Sequence, residues 1–221
     1  MAEAGSFGLD PLQRRVLRLL AGFDPAWTLT GGGALAGLYL GHRRTRDLDL
    51  FWHQRSTLPD VERLIEVLRG DGLGVDVLRR TPGFVELRVA SDGEVTVVDL
   101  VADAVPVIEP PARIEIDGVA ILVDTRHEIL VNKLNALLSR SELRDLVDVR
   151  ALLAAGGDLH RGLVDAERKD GGFSAATLAW VIRGMPLGAL AKASGLKAEA
   201  MEELTRYRDE LATTLARMSR P

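Results

Sequence analysis

Hydrophobic positions follow two rhythms along this chain, one of period three to four and one of period two, and the change from one to the other marks out its elements. Leu12, Val16, Leu19 and Leu20 form a stripe behind Asp10, an N-cap, and Pro11 at the first helical position, which predicts a helix over residues 10–21. A short strand from Trp27 to Thr30 runs into Gly31-Gly32-Gly33, and ALAGLYLG then reads as one or two helical turns. RDLDLFW alternates as a half-buried strand does, residues 58–68 return to helical spacing, and VDVLRR, GFVELRVA and EVTVVDLVAD read as strands. The last two are joined across Ser91-Asp92-Gly93, and RIEI and VAIL make a hairpin about Asp117-Gly118 after a connection marked by Pro106, Pro110 and Pro111. Beyond residue 124 the period-two signal stops. Helices are expected through Leu138, from Ser141 to Ala155 with Gly156-Gly157 as the stop, and over 158–168, 174–183, 186–193 and 197–218. The predicted fold class is therefore α/β in the α+β sense, a mixed sheet with flanking helices over 1–123 followed by an all-helical domain over 124–221.

The composition narrows the chemistry. With 47% apolar residues in 221, there is material for an ordinary core, and no apolar run approaches the roughly 18 residues a membrane span needs. MAEAGSFGLD lacks the basic-then-apolar order of a signal peptide, so a cytoplasmic location with no membrane partner is expected. The sequence has no cysteine, so a metal would have to be held by oxygen or imidazole. The net charge of −4 argues against a general nucleic-acid coat, yet His42, Arg43, Arg44 and Arg46 form a local basic run.

That run leads into Asp47-Leu48-Asp49. Residues two apart in a strand share a face, with Cα atoms roughly 6 to 7 Å apart at about 3.3 Å per residue. Two carboxylates at that spacing repel each other and suit a hard divalent cation, Mg²⁺ by default. Asp99, in the apolar VTVVDLV stretch, is a third candidate ligand if its strand lies beside RDLDLF. Such carboxylates serve phosphoryl and nucleotidyl transfer, and small residues at Gly31, Gly32 and Gly33 let backbone N–H groups approach a triphosphate. Taken alone, DLDL is equally an amphipathic strand with a wet face; the glycines upstream and Asp99 downstream tip the reading towards a site.

These residues carry a resemblance. Gly31-Gly32, a short helix and Asp47-Leu48-Asp49 resemble the signature of the polymerase-β-like nucleotidyltransferase superfamily. More narrowly, LTGGGALAGLYLGHRRTRDLDLF is similar to the first motif of the AbiEii/AbiGii nucleotidyltransferase toxin family, with Gly33 where that family often has Thr or Ser. EILVNKLNALLSRSELRDLVDVRALL resembles its K-x-x-A…R-x-x-RD-x-x-D segment, the matching positions being Lys133, Ala136, Arg140, Arg144, Asp145 and Asp148. The resemblance implies transfer of a nucleoside monophosphate from an NTP, in some members to the acceptor end of tRNA, within toxin–antitoxin pairs.

On that basis Asp47, Asp49 and Asp99 are the expected metal ligands. Gly31, Gly32, Gly33 and Arg46 are expected to contact the nucleotide, together with Lys133 and Arg144. Lys133 would place a point charge on the triphosphate, and Asp148 would act as base for the acceptor hydroxyl or as an orienting partner. On one continuous helix, Lys133, Arg140, Arg144 and Asp148 would share a face; a break at 139–141 would spoil that register. Asp145 reads as structural, and an Arg144–Asp148 ion pair is as good a reading as chemistry. His53, His127 and His160 have no metal-ligand spacing and read as surface or capping residues; Trp27, Phe51 and Trp52 read as core and sheet edge rather than as base-stacking platforms, and Trp180, on a helical stripe, as core. An RNA acceptor, a small cationic acceptor of the aminoglycoside kind, and a nucleotide-binding module that acts on a protein partner are the three functional readings, with a possible antitoxin partner in the first.

Overall fold

The computed structural model describes residues 8–193 and 197–219. The chain divides into two compact units, Met1–Thr125 and Arg126–Pro221.

In the first unit, helix α1 (Pro11–Leu20) opens with a capping box in which Asp10 accepts from the Gln13 backbone N–H and the Gln13 side chain accepts from that of Asp10. The unit is built on a seven-stranded sheet of order β3-β4-β5-β2-β1-β7-β6. Its strands are β1 (Thr28–Thr30), β2 (Asp47–His53), β3 (Gly74–Thr81), β4 (Phe84–Ser91), β5 (Glu94–Asp103), β6 (Ala112–Ile116) and β7 (Val119–Val123). The β2–β5 and β1–β7 pairs are parallel and the others antiparallel, so the sheet is mixed.

The period-two alternation decides which face is which. Leu48, Leu50 and Trp52 of β2, Val98 and Leu100 of β5, and Val85, Leu87 and Val89 of β4 are all buried on one side. Each such side chain contributes about 1.5–3 kcal/mol relative to exposure. Helices α1 and α3 (Val61–Gly70, capped by Asp60) pack with β5 and β3 respectively and with each other. Trp27 and Trp52 are core residues as expected, their indole N–H groups donating to Leu20 O (2.7 Å) and Pro25 O (2.8 Å).

The glycine stretch differs from expectation. Gly31–Ala34 is itself the first turn of a helix, α2, which continues as a π-helical segment over Leu35–Leu40 and stops at Gly41 in the left-handed conformation. The glycines thus begin the helix rather than precede it.

The second unit is helical: α4 (Arg126–Ser139), α5 (Leu143–Ala154), α6 (Leu159–Lys169), α7 (Ala175–Arg183), α8 (Leu187–Ala193) and α9 (Ala198–Met218). Helix α4 is central and packs on α5, α6 and α7, with Leu130, Leu134, Leu137, Leu146, Val149 and Ile182 in the core. A Cβ on Gly162 would lie 3.2 Å from Leu130 and Leu134, so its lack of a side chain sets how closely α6 approaches α4. Two expectations are corrected here. Ser141 is not an N-cap: it sits in the left-handed region (φ 52°), its hydroxyl donates to Leu137 O, and Glu142 takes the cap position. Trp180 is not core: it is 77% exposed, because Leu178, Ala179 and Ile182 present the buried face of α7.

Candidate active site

The face of the sheet opposite the core carries the carboxylates. Asp47 and Asp49 point away from Leu48 and Leu50, and Asp49 stands directly across from Asp99 on the neighbouring parallel strand. Strand β5 does lie beside RDLDLF, and Asp99 shares the row and face of Asp49. Register extends that row through Glu86 of β4 to Arg79 of β3, giving Thr30, Asp49, Asp99, Glu86 and Arg79 in sequence across five strands. Arg79 Nε lies 3.9 Å from Glu86 Oε2.

This crowding is visible in the proton affinity of Asp99, whose carboxyl is pushed up to about 7. Burial is the main cause, followed by the charges of Asp49, Glu86 and Asp47, with Arg79 acting in the opposite sense. Asp99 Oδ1 is buried without a hydrogen-bond partner. Asp47 Oδ1 accepts from Thr45 Oγ1 at 2.9 Å. An orphaned buried carboxylate oxygen amid like charges, in a set of hard oxygen donors, fits a divalent cation of the Mg²⁺ class. Among the described residues, no three His, Asp or Glu side chains are drawn together as a closed cluster, so the carboxylates share a face without converging on a point.

The glycines serve this face unequally. Gly31 has φ 59°, and a Cβ there would lie 2.0 Å from Asp49 Oδ2, so the residue abuts the carboxylate and has to be glycine. A Cβ on Gly32 would come within 2.9 Å of Thr45 Oγ1 and 3.0 Å of Arg43 Nη2. Gly33 instead faces Leu29 and Leu48, and its smallness serves packing. Arg46 and Arg44 are exposed; the Arg46 carbonyl accepts from Val97 N and Thr96 Oγ1, which ties the start of β2 to β5. Buried Gln13 donates to the Thr45 carbonyl (3.3 Å) and so links α1 to the same loop.

At the far end of the face lies a buried ion cluster. His53 Nε2 is 3.1 Å from Asp124 Oδ1, and Nδ1 is 3.6 Å from Asp103 Oδ2, an ion pair rather than a hydrogen bond. Burial opposes charge on the imidazole, but the two carboxylates prevail and raise it to about 9. His53 is therefore not a surface residue. Nor is His127, which pairs with Asp165 at 2.8 Å within the helical unit; His160 is exposed.

In the helical unit, the break over 139–141 separates α4 from α5, so Lys133, Arg140, Arg144 and Asp148 do not share one helix face. The two helices instead bring Lys133 Nζ to 2.8 Å from both Asp145 Oδ1 and Asp148 Oδ2, with both carboxylates fully buried and 7% of the lysine side chain exposed. Arg140 adds a two-pronged contact to Asp145 (2.7 and 2.9 Å). Burial works to raise the Asp145 carboxyl, but Arg140 and Lys133 together hold it below the usual carboxylate range. Arg144 is half-exposed and pairs with Glu142 at 2.6 Å.

The model of the Nucleotidyl transferase AbiEii toxin family (type IV toxin–antitoxin system) matches residues 15–219. The chain belongs to the AbiEii nucleotidyltransferase toxin family. It is a nucleotidyltransferase by that membership. The AbiEii fold is similar to that of MenT4, a nucleotidyltransferase toxin of Mycobacterium tuberculosis, with a TM-score of 0.61 at 20% identity over 96% of this chain and 86% of that one. It is also similar to that of JHP933 from Helicobacter pylori, with a TM-score of 0.53 at 20% identity over 94% and 90% of the two chains. The sequence matches no curated protein. No helix among the described residues is long and apolar enough to cross a membrane.

Three residues beside the carboxylates went unnoticed in the sequence: Thr45, Glu86 and Arg79. The polar positions of FVELRVA had a signal for Glu86, since it alternates with buried Val85 and Leu87. Its place beside Asp99 depended on strand order, which no local pattern encodes.

Proposed function

We propose that this AbiEii chain is a Mg²⁺-dependent enzyme that transfers a nucleoside monophosphate from an NTP to RNA, the 3′ end of tRNA being the favoured acceptor, and that it acts as the toxin of a toxin–antitoxin pair. The observation that carries the proposal is the Asp49–Asp99 juxtaposition, with Asp47 on the same face. Asp47, Asp49 and Asp99 would hold the metal, which when bound neutralises charge on the phosphates and aligns them for in-line displacement.

The remaining roles belong to the chain itself. Gly31 and Gly32 let the phosphates lie close to the backbone, and Arg46 adds positive charge at the same end of β2. Gly33 belongs to the same turn and supports it by packing. In the helical unit, Asp148 is the candidate base for the acceptor hydroxyl or, fully buried against Lys133 as it is, an orienting partner; Lys133 is the candidate point charge for the triphosphate, and Arg144 offers a half-exposed guanidinium to phosphate. The acceptor hydroxyl would give up its proton as its oxygen bonds to the α-phosphorus, and pyrophosphate leaves.

The test is to incubate the purified protein with each of the four α-labelled triphosphates, Mg²⁺ and either total RNA or an aminoglycoside mixture. Label on RNA, lost in Asp49→Asn, is the expected result. Label confined to a small acceptor would replace RNA with a small cationic substrate, and tight NTP binding without pyrophosphate release would point to a binding module.

A further inference from the structure

One strip of the carboxylate face is left unused by that mechanism. Two residues along from the Asp49–Asp99–Glu86 row, the register places Phe51, Val101 and Phe84 side by side on β2, β5 and β4. All three lie on the carboxylate face and are neither buried nor fully exposed. The two phenyl-bearing strands flank β5, so the rings stand roughly 10 Å apart across Val101 at the ordinary strand spacing. Arg79, next along β3, places its guanidinium carbon 4.7 Å from the centre of the Phe84 ring while remaining 66% exposed. Phe51 is bounded on its other side by His53, 5.9 Å away.

This partly exposed aromatic strip lies beside a line of carboxylates. Aromatic rings stabilise a sheet best when they are fully covered, and the opposite face of these same strands is where this unit buries its apolar bulk. A nucleoside triphosphate has the matching division: an anionic tail for the polar row and a flat π-surface attached a few ångströms away. Phenyl rings and an arginine plane are the groups that hold a nucleobase without reading its edge.

We propose that Phe51, Phe84 and Arg79 form a stacking shelf for the base of the incoming nucleotide, with the base lying over Val101 and in contact with the Arg79–Phe84 pair. The proposal rests on the functional reading above, because it takes the NTP to be the molecule that spans the two rows. Thr28 and Thr81 close the row at its two ends, and the phenyl rings between them offer no hydrogen bond, so the shelf contributes affinity for a base in general and little choice among the four.

The experiment is calorimetric titration of the full-length protein in Mg²⁺ with each of the four NTPs and, separately, with inorganic tripolyphosphate. The variants are Phe84→Leu and Phe51→Leu, which keep apolar bulk in the strand, and Phe84→Tyr, which keeps the ring. The wild type is expected to bind NTPs more tightly than tripolyphosphate. Phe84→Leu is expected to weaken every NTP by about tenfold or more while leaving tripolyphosphate unchanged, with Phe84→Tyr close to wild type. Unchanged NTP binding in both leucine variants overturns the shelf, as does parallel loss of NTP and tripolyphosphate or equal wild-type affinity for the two. A wild type that binds tripolyphosphate but is indifferent to Phe84 leaves the phosphate site standing; one that binds neither ligand sinks the phosphate site and the shelf together.

Discussion

Gly31 touches Asp49: a β-carbon at residue 31 would sit 2.0 Å from Asp49 Oδ2, and the backbone there already has φ 59°. Gly31→Ala therefore combines a left-handed penalty of about 1–2 kcal/mol with a collision that displaces the carboxylate. The expected outcome is a lowered thermal midpoint together with at least a hundredfold loss of nucleotidyl transfer. A Gly31→Ala protein with wild-type turnover would show that Asp49 does not need its present place.

The His53 cluster makes stability depend on pH in the alkaline range. Its imidazole titrates near 6.5 in an unfolded chain and at about 9 in the folded one, so the folded state holds the proton more tightly. The stabilisation is complete below about 6.5 and is lost as pH rises through about 9. Urea midpoints measured from pH 6 to pH 10 should fall across that window for the wild type, and the fall should be smaller in His53→Gln, whose amide does not titrate.

Lys133 is enclosed by Asp145 and Asp148, each at 2.8 Å. Lys133→Met leaves two buried carboxylates facing each other with Arg140 contacting one of them. The expected cost is about 3–5 kcal/mol of unfolding free energy, read by denaturant titration. A lysine used only as a point charge on substrate would lose activity on this substitution and keep its stability, so the two measurements separate the roles.

The exposure of Trp180 predicts a contrast within one helix. Trp180→Ser should change unfolding free energy by less than about 0.5 kcal/mol, as exposed substitutions do. Leu178→Ala, two residues earlier and fully buried, should cost about 2–5 kcal/mol.

These cases also show what the sequence made legible. The alternation of Asp47, Leu48, Asp49 and Leu50 fixes which side chains share a face, because strand geometry has period two whatever the neighbours are. The pairing of Asp49 with Asp99 was stated only as a condition, because β2 and β5 are 50 residues apart at that register and strand order is a long-range property. The break between α4 and α5 carries no proline or glycine: Ser141 makes the left-handed turn itself, which glycine usually does. Trp180 misled because it reads as part of the apolar helical stripe, while Leu178 and Ile182 set the buried stripe and Trp180 falls about 200° around the helix from Leu178. The glycine run had the right residues for the wrong element, since Gly31 starts the helix and Gly33 packs against Leu29 and Leu48.

The central claim is that carboxylates from two adjacent parallel strands jointly hold a divalent ion. Mn²⁺ reports this directly: paramagnetic resonance titration in the presence of a non-hydrolysable NTP analogue counts bound metal without requiring an acceptor. The account predicts saturable Mn²⁺ binding by the wild type, weakened at least tenfold in both Asp49→Asn and Asp99→Asn. Mn²⁺ binding that is absent from the wild type, or indifferent to both substitutions, would contradict it.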